Sequence, residues 1–168
     1  DTMTTFNQVA LGPHEQLATF AAGEFWRAKD LIKVAGVLEA VVGYTDGKTL
    51  NPTHDEVSSG KTGHAFAVQI KFDENTVSYK KLVEAFFMTH DATDKKDTES
   101  PRRSGIYYHS DEQLNIAEAV KRDEAEKRFM MELEVQHGPA EIWTEIKYAK
   151  RFYHAQDKYQ RNATANEQ

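Results

Sequence analysis

From His64 to Phe72 the chain alternates Phe66, Val68, Ile70 and Phe72 with Ala65, Ala67 and Gln69, the period of a strand with one strongly apolar face. Leu17 to Ala22 is a short apolar run closed by Gly23, suited to a buried strand, and Val37 to Tyr44 is a third β-rich stretch that runs into an Asp46-Gly47 turn. Helical spacing of Phe25, Ala28 and Ile32 predicts a helix over residues 24–33. Ser78 caps a second amphipathic helix whose stripe is Leu82, Val83, Phe86 and Phe87. Arg103 to Tyr108 reads as another strand. From the N-cap Ser110 a long charged helix runs to about Glu134, with Leu114, Ala117, Val120 and Phe129 expected to face inward. Residues 51–63 and 91–104 are expected to be loops. A last apolar stretch spans Ile142 to Ile146, followed by Phe152, Tyr153 and Tyr159. Strands alternating with helices predict an α/β (α+β) fold, a two-layer sandwich of one mixed sheet with covering helices. The expected organisation is an irregular arm over 1–16, a single domain over 17–160, and a fraying tail over 161–168.

Composition narrows the partners. The 168 residues are enough for one sizeable core, and 27 acidic against 21 basic residues leave a formal charge of −6. That average field repels polyanions, so neither nucleic acid nor an anionic membrane surface is an expected partner. No apolar run is long enough to span a membrane, and the start lacks a signal-peptide pattern. A soluble protein is expected; the compartment stays open, with the cytoplasm weakly favoured, and a trimmed N terminus is left open because the chain begins at Asp1. The chain contains no cysteine, which excludes disulfides, thiolate metal sites and thiol nucleophiles. The seven histidines form no ligand pair on a helix face, so neither a metal nor another cofactor is expected. The expected ligand is a small molecule.

A set of ordered short motifs then carries a resemblance. Gly23-Glu24-Phe25-Trp26, Gly43-Tyr44-Thr45-Asp46-Gly47, Asn51-Pro52-Thr53, Ser59 to Ala65, His90-Asp91, Arg103 to Tyr108, Thr144-Glu145-Ile146 and Phe152-Tyr153 follow one another along the chain. In order and spacing this succession resembles the type A peptide methionine sulfoxide reductases over roughly residues 17–160. The resemblance implies their ferredoxin-like fold. It also implies a site in which a thiolate attacks the sulfoxide sulfur, an acid protonates the leaving oxygen, and an aromatic pocket takes the methyl group.

Five positions depart from that pattern, three of them at the reacting centre. The family's nucleophilic cysteine corresponds to Glu24, and a carboxylate can neither form a sulfenic acid nor be regenerated through a disulfide. The family's proton donor after Gly-His-Ala corresponds to Phe66, which donates no proton. Aligning the 91–104 loop on Arg103-Ser104 puts Arg102 at an oxygen-binding tyrosine and Asp97 at a family aspartate, in a loop a few residues shorter than the family's. Gln156 and Tyr159 stand where the family commonly has Glu and His. His64 and His90-Asp91 belong to the family pattern, with structural hydrogen bonding near the pocket as their expected role. What remains of the site is an aromatic box of Phe25, Trp26 and Tyr44.

Two readings of this pocket stay open. In one, Glu24 is a general acid or base, with Tyr44 and Arg102 holding an oxygen that gains charge, and Phe25, Trp26, Phe66 and Asp97 binding substrate. Isomerisation, lyase or cyclisation chemistry would suit it. In the other, Glu24 and Arg102 form an ion pair that plugs the pocket of a non-catalytic binding protein. An open cavity with an unpaired Glu24 marks the first, and a cavity closed by Arg102 the second. Retained sulfoxide reduction is the remaining alternative, and the missing thiol speaks against it.

Overall fold

The computed structural model describes residues 9–135 and 141–164. Its strands are β1 (Glu15–Ala22), β2 (Val37–Thr45), β3 (Ala65–Asp73), β4 (Ser104–Tyr108), β5 (Glu145–Tyr148) and β6 (Phe152–His154). They form one sheet in the order β5-β4-β1-β3-β2-β6, antiparallel throughout except for the parallel β4–β5 pair. A 3-10 turn (Phe25–Ala28) leads into α1 (Lys29–Ile32), and α2 (His54–Ser58), α3 (Tyr79–Phe87), α4 (Asp111–Val135) and α5 (Asp157–Thr164) follow. The succession β1-α1-β2-β3-α3-β4, with the inner strands in the order 4-1-3-2, is the split βαβ arrangement of a ferredoxin-like sandwich.

The periodicity of β3 explains its place. Phe66, Val68, Ile70 and Phe72 enter the main core, where they meet Phe20 of β1, Leu31 of α1, and Leu82, Val83 and Phe86 of α3. Burying side chains of this kind stabilises by about 1.5–3 kcal/mol each. The opposite face of β3 is buried too. There Ala65 and Ala67 pack with Ala21, Tyr107, Ala149 and Phe152, small residues against large ones. The edges of β3 are satisfied as well, since it lies inside the sheet between β1 and β2.

Several expectations need correction. Residues 54–58 are not loop but α2, whose capping box has Thr53 Oγ1 accepting from the Glu56 N–H while Glu56 accepts from the Thr53 N–H. The helix expected over 24–33 is a 3-10 turn followed by one short α-helical turn. Phe129 is exposed, whereas Ala117 and Val120 are buried. β1 begins at Glu15, inside the expected arm, and α5 continues to Thr164. The rest of the expected arm and tail, residues 1–8 and 165–168, lies outside the described residues. Among the described residues, no helix is long and apolar enough to cross a membrane.

Candidate functional site

Strand register brings the separated candidates to one end of the sheet. β1 ends at Ala22, opposite Ser104 of β4, and Gly23 then turns the backbone through φ +103°, a value glycine tolerates without cost from a Cβ. Glu24 follows in extended conformation as the N-cap of the 3-10 turn, but its side chain makes no capping bond. Phe20 pairs with Val68 and Tyr44 with Phe66, so the start of β3 lies beside the end of β1. Residues just before Ser104 arrive at the same place. Glu24, Phe25, Tyr44, Phe66 and Arg102 therefore converge, although the chain separates them widely.

Arg102 is delivered by its neighbour. Arg103 is buried and ties the loop down through Asp46 at 3.1 Å, Glu145 at 2.9 Å, and the carbonyls of Ser100 and Gly63. The Pro101 carbonyl accepts the Phe66 N–H at 2.8 Å. With residues 101 and 103 held in this way, the Arg102 side chain points to the end of β1. Its Nε donates to Glu24 Oε2, and its guanidinium lies 5.3 Å from the Phe66 ring centroid, a cation–π distance. The pair is about 40% exposed, at 41% for Arg102 and 39% for Glu24.

Behind the pair, rings fill the box. Phe25 meets Phe66 edge-on at 5.1 Å and Tyr44 at 5.8 Å. His54, from the first turn of α2, stacks on Tyr159 of α5 at 4.3 Å and 9°, and on Phe66 at 5.1 Å and 27°. Burial lowers the His54 pKa, against the pull of Asp55 and Glu24. Tyr44 is 1% exposed and its hydroxyl has no hydrogen-bond partner among the described residues. Burial raises its pKa, with Tyr159 and Asp55 adding to the effect, so the phenol stays protonated at neutral pH. A cavity of about 10 Å³ is left between Phe20, Glu24, Phe25, Leu31 and Phe66, room for about one water.

Two of the sequence candidates stand apart. Trp26 is 55% exposed and makes no ring contact with the box; the Arg27 guanidinium covers one of its faces at 4.6 Å. Asp97 lies exposed on its loop, where its carbonyl accepts the Ser100 N–H, and it lines neither cavity at Glu24. His54 and Tyr159 are box residues that sequence reasoning missed. The Thr53 to Glu56 capping signal was the one available pointer to His54. His64 makes structural hydrogen bonds, its Nδ1 accepting from Gly47 N–H at 2.9 Å and its Nε2 meeting the Thr49 carbonyl at 2.7 Å. His90 bridges Thr89 and Ser104, and burial pushes its pKa down to about 4.

On the other side of the ion pair lies a polar cleft of about 250 Å³, with Arg27, Asp91, Asp94 and Lys96 in its wall. Among the described residues no group of three His, Asp or Glu is placed to share a metal ion. Chemically, the site holds a carboxylate already satisfied by a cation, a buried neutral phenol, and no sulfur nucleophile.

The peptide methionine sulfoxide reductase family model matches residues 16–168. The peptide methionine sulfoxide reductase MsrA of Bacillus velezensis is 41% identical over 151 residues, spanning 87% of this chain and 81% of that protein. The corresponding protein of Pasteurella multocida is 39% identical over 150 residues, spanning 86% of this chain and 80% of its own. Among solved structures, methionine sulfoxide reductase A of Corynebacterium diphtheriae has a TM-score of 0.75 at 27% identity, covering 89% of this chain and 74% of that one.

Proposed function

Because the chain belongs to the peptide methionine sulfoxide reductase family, we propose that it is a non-reducing member of it: a small-molecule binding protein whose former reaction pocket is closed by its own residues. The observation that carries this reading is the Glu24–Arg102 ion pair at the position of the family's thiol, with only about 10 Å³ behind it. Sulfoxide reduction by the family route needs a nucleophilic sulfur that becomes a sulfenic acid, and the chain has no cysteine to supply it. Phe66, at the position of the proton donor, instead offers its ring face to Arg102.

Acid–base catalysis by Glu24 draws less support from this geometry. A general base works best unpaired, in a cavity large enough for the substrate atom it deprotonates, with a pKa near the working pH. Glu24 is already hydrogen-bonded to a guanidinium, which occupies the oxygen that a substrate proton would have to reach. Tyr44 is shut behind Phe25 and Phe66, so its hydroxyl meets no ligand while the box is closed.

The test is turnover by the purified chain. Dithiothreitol-driven reduction of a methionine sulfoxide peptide should stay at the level of the buffer blank, and the Glu24→Gln variant should behave identically. Glu24-dependent consumption of the sulfoxide, or of any screened substrate, would overturn the reading.

A further inference from the structure

The polar cleft beside the closed pocket contains an unmatched pair of charges. Its wall bears three cations, Arg27, Lys96 and Arg102, and three carboxylates, Glu24, Asp91 and Asp94. Two of each neutralise one another: Arg102 pairs with Glu24, and Lys96 with Asp94 at 2.7 Å. His90, also in the wall, has a pKa near 4 and adds no charge at neutral pH. One cation, Arg27, and one carboxylate, Asp91, are left with no ion pair among the described residues.

Both are held in place by other means. Arg27 Nη1 donates to the Thr89 carbonyl at 2.9 Å and its flat face rests on Trp26. The guanidinium is thereby fixed to the same short segment that carries Asp91, and its Nε and Nη2 edge, the fork that meets a carboxylate with two parallel bonds, makes no hydrogen bond among the described residues. Asp91 uses Oδ1 for both the Thr93 N–H at 3.0 Å and the Thr93 hydroxyl at 2.5 Å, and Oδ2 has no hydrogen-bond partner among the described residues. These two bonds hold its carboxyl below the ordinary carboxylate range, with Arg128 adding to the effect from outside ion-pair distance.

A preorganised guanidinium fork and a preorganised carboxylate oxygen in one small cleft complement a molecule with opposite charges a few atoms apart. We propose that this cleft binds a small zwitterion, an ammonium carboxylate of the amino-acid type, its carboxylate on the Arg27 fork and its ammonium on Asp91. The cleft volume of about 250 Å³ lies just below the range of drug-sized sites, which suits a molecule of this size. A dianion such as a phosphate ester would bring its second negative charge against Asp91, the wall carboxylate left without an ion pair among the described residues. A simple cation would leave the Arg27 fork empty. The inference rests on the binding-protein reading above, since it requires the Glu24–Arg102 pair to remain closed on itself.

Isothermal titration of the full chain against a panel of free α-amino acids, their N-acetyl derivatives and their carboxamides tests it. At least one free amino acid should bind, and blocking either its amine or its carboxylate should weaken binding by roughly tenfold or more. Arg27→Gln and Asp91→Asn should each weaken the same ligand to that degree while the chain stays folded by circular dichroism, the lost contacts to Thr89 and Trp26 or to Thr93 lowering the melting temperature by no more than about 2–4 °C. Arg27→Lys, which keeps the charge and loses the fork, should fall between. Failure of every free amino acid to bind at about 10 mM, or binding indifferent to both variants, would overturn the site and leave the non-catalytic reading standing. Conversion of the bound ligand, followed by one-dimensional NMR, would leave the site standing and overturn that reading.

Discussion

Glu24 and Arg102 can be separated by a double-mutant cycle, and the sign of the result tells a pairing role from a catalytic one. The variants are Glu24→Gln, Arg102→Gln and the double substitution. Both side chains are about 40% exposed, so solvent screens much of their attraction, and exposed pairs of this kind couple by about 0.2–1 kcal/mol. Arg102→Gln also loses the contact with the Phe66 face, worth about 0.5–1 kcal/mol at a half-exposed site. The expected costs are therefore about 0.5 kcal/mol for Glu24→Gln and about 1–1.5 kcal/mol for Arg102→Gln, with favourable coupling of about 0.5 kcal/mol. At this chain length, 1 kcal/mol moves the melting temperature by about 2–4 °C. Urea unfolding monitored by circular dichroism resolves the coupling, which should shrink between 0.05 and 1 M salt as screening increases. An unpaired carboxylate in an aromatic pocket would behave in the opposite way: Glu24→Gln would stabilise the fold and the two substitutions would add. That outcome would refute the closed-pocket argument.

The remaining predictions test the surroundings. Arg103→Ala removes the buried guanidinium that Asp46 and Glu145 share, and although Lys147 and Lys150 still face these carboxylates it should cost about 1.5–3 kcal/mol, read as a larger fall in melting temperature than that of any Arg102 variant. His90 and His109 are half-buried, and desolvation pushes their pKa values down to about 4, below the 6.5 of an unfolded histidine. The unfolded chain therefore binds protons first, and stability should be full above pH 6.5 and decline as pH falls towards 4, by a few kcal/mol in total. Urea midpoints from pH 7 to 4 measure this decline, and His109→Gln should flatten it. Tyr159→Ala uncovers one face of His54, so the His54 pKa should rise back towards its ordinary value, as followed by NMR titration. Glu24→Cys alone should not restore sulfoxide reduction, because Phe66 supplies no proton; adding Phe66→Glu should raise its rate by about a hundredfold or more if the family geometry is otherwise intact.

Much of the fold was legible because burial imposes periodicity. Phe66, Val68, Ile70 and Phe72 mark β3, and Leu82, Val83, Phe86 and Phe87 mark α3, since each set must face one core. α2 was missed because only Val57 of its five residues is buried, so no apolar stripe announces it, and the capping residues at 53 and 56 carried the whole signal. Phe129 was misjudged because helical spacing says which side of α4 a residue occupies and nothing about what covers that side at a given turn. At the site, motif order was enough to bring Glu24, Phe25, Tyr44, Phe66 and Arg102 together. It said nothing of the outward turn of Trp26, which follows from local packing under Arg27, nor of the Tyr159–His54 stack, which joins the end of the chain to its middle.

Arg102 and Arg103 are adjacent in sequence and opposite in what they do. The deeper one holds the loop, so the outer one needs no contact of its own to stay in position. Anchorage and obstruction are thereby assigned to different residues, and the obstruction can be exchanged without disturbing the anchorage. A scaffold built this way can change what it admits at position 102 through single substitutions, each tolerated by the fold. This offers a physical route by which one chain could move between a closed pocket and an open one without passing through an unfolded ancestor.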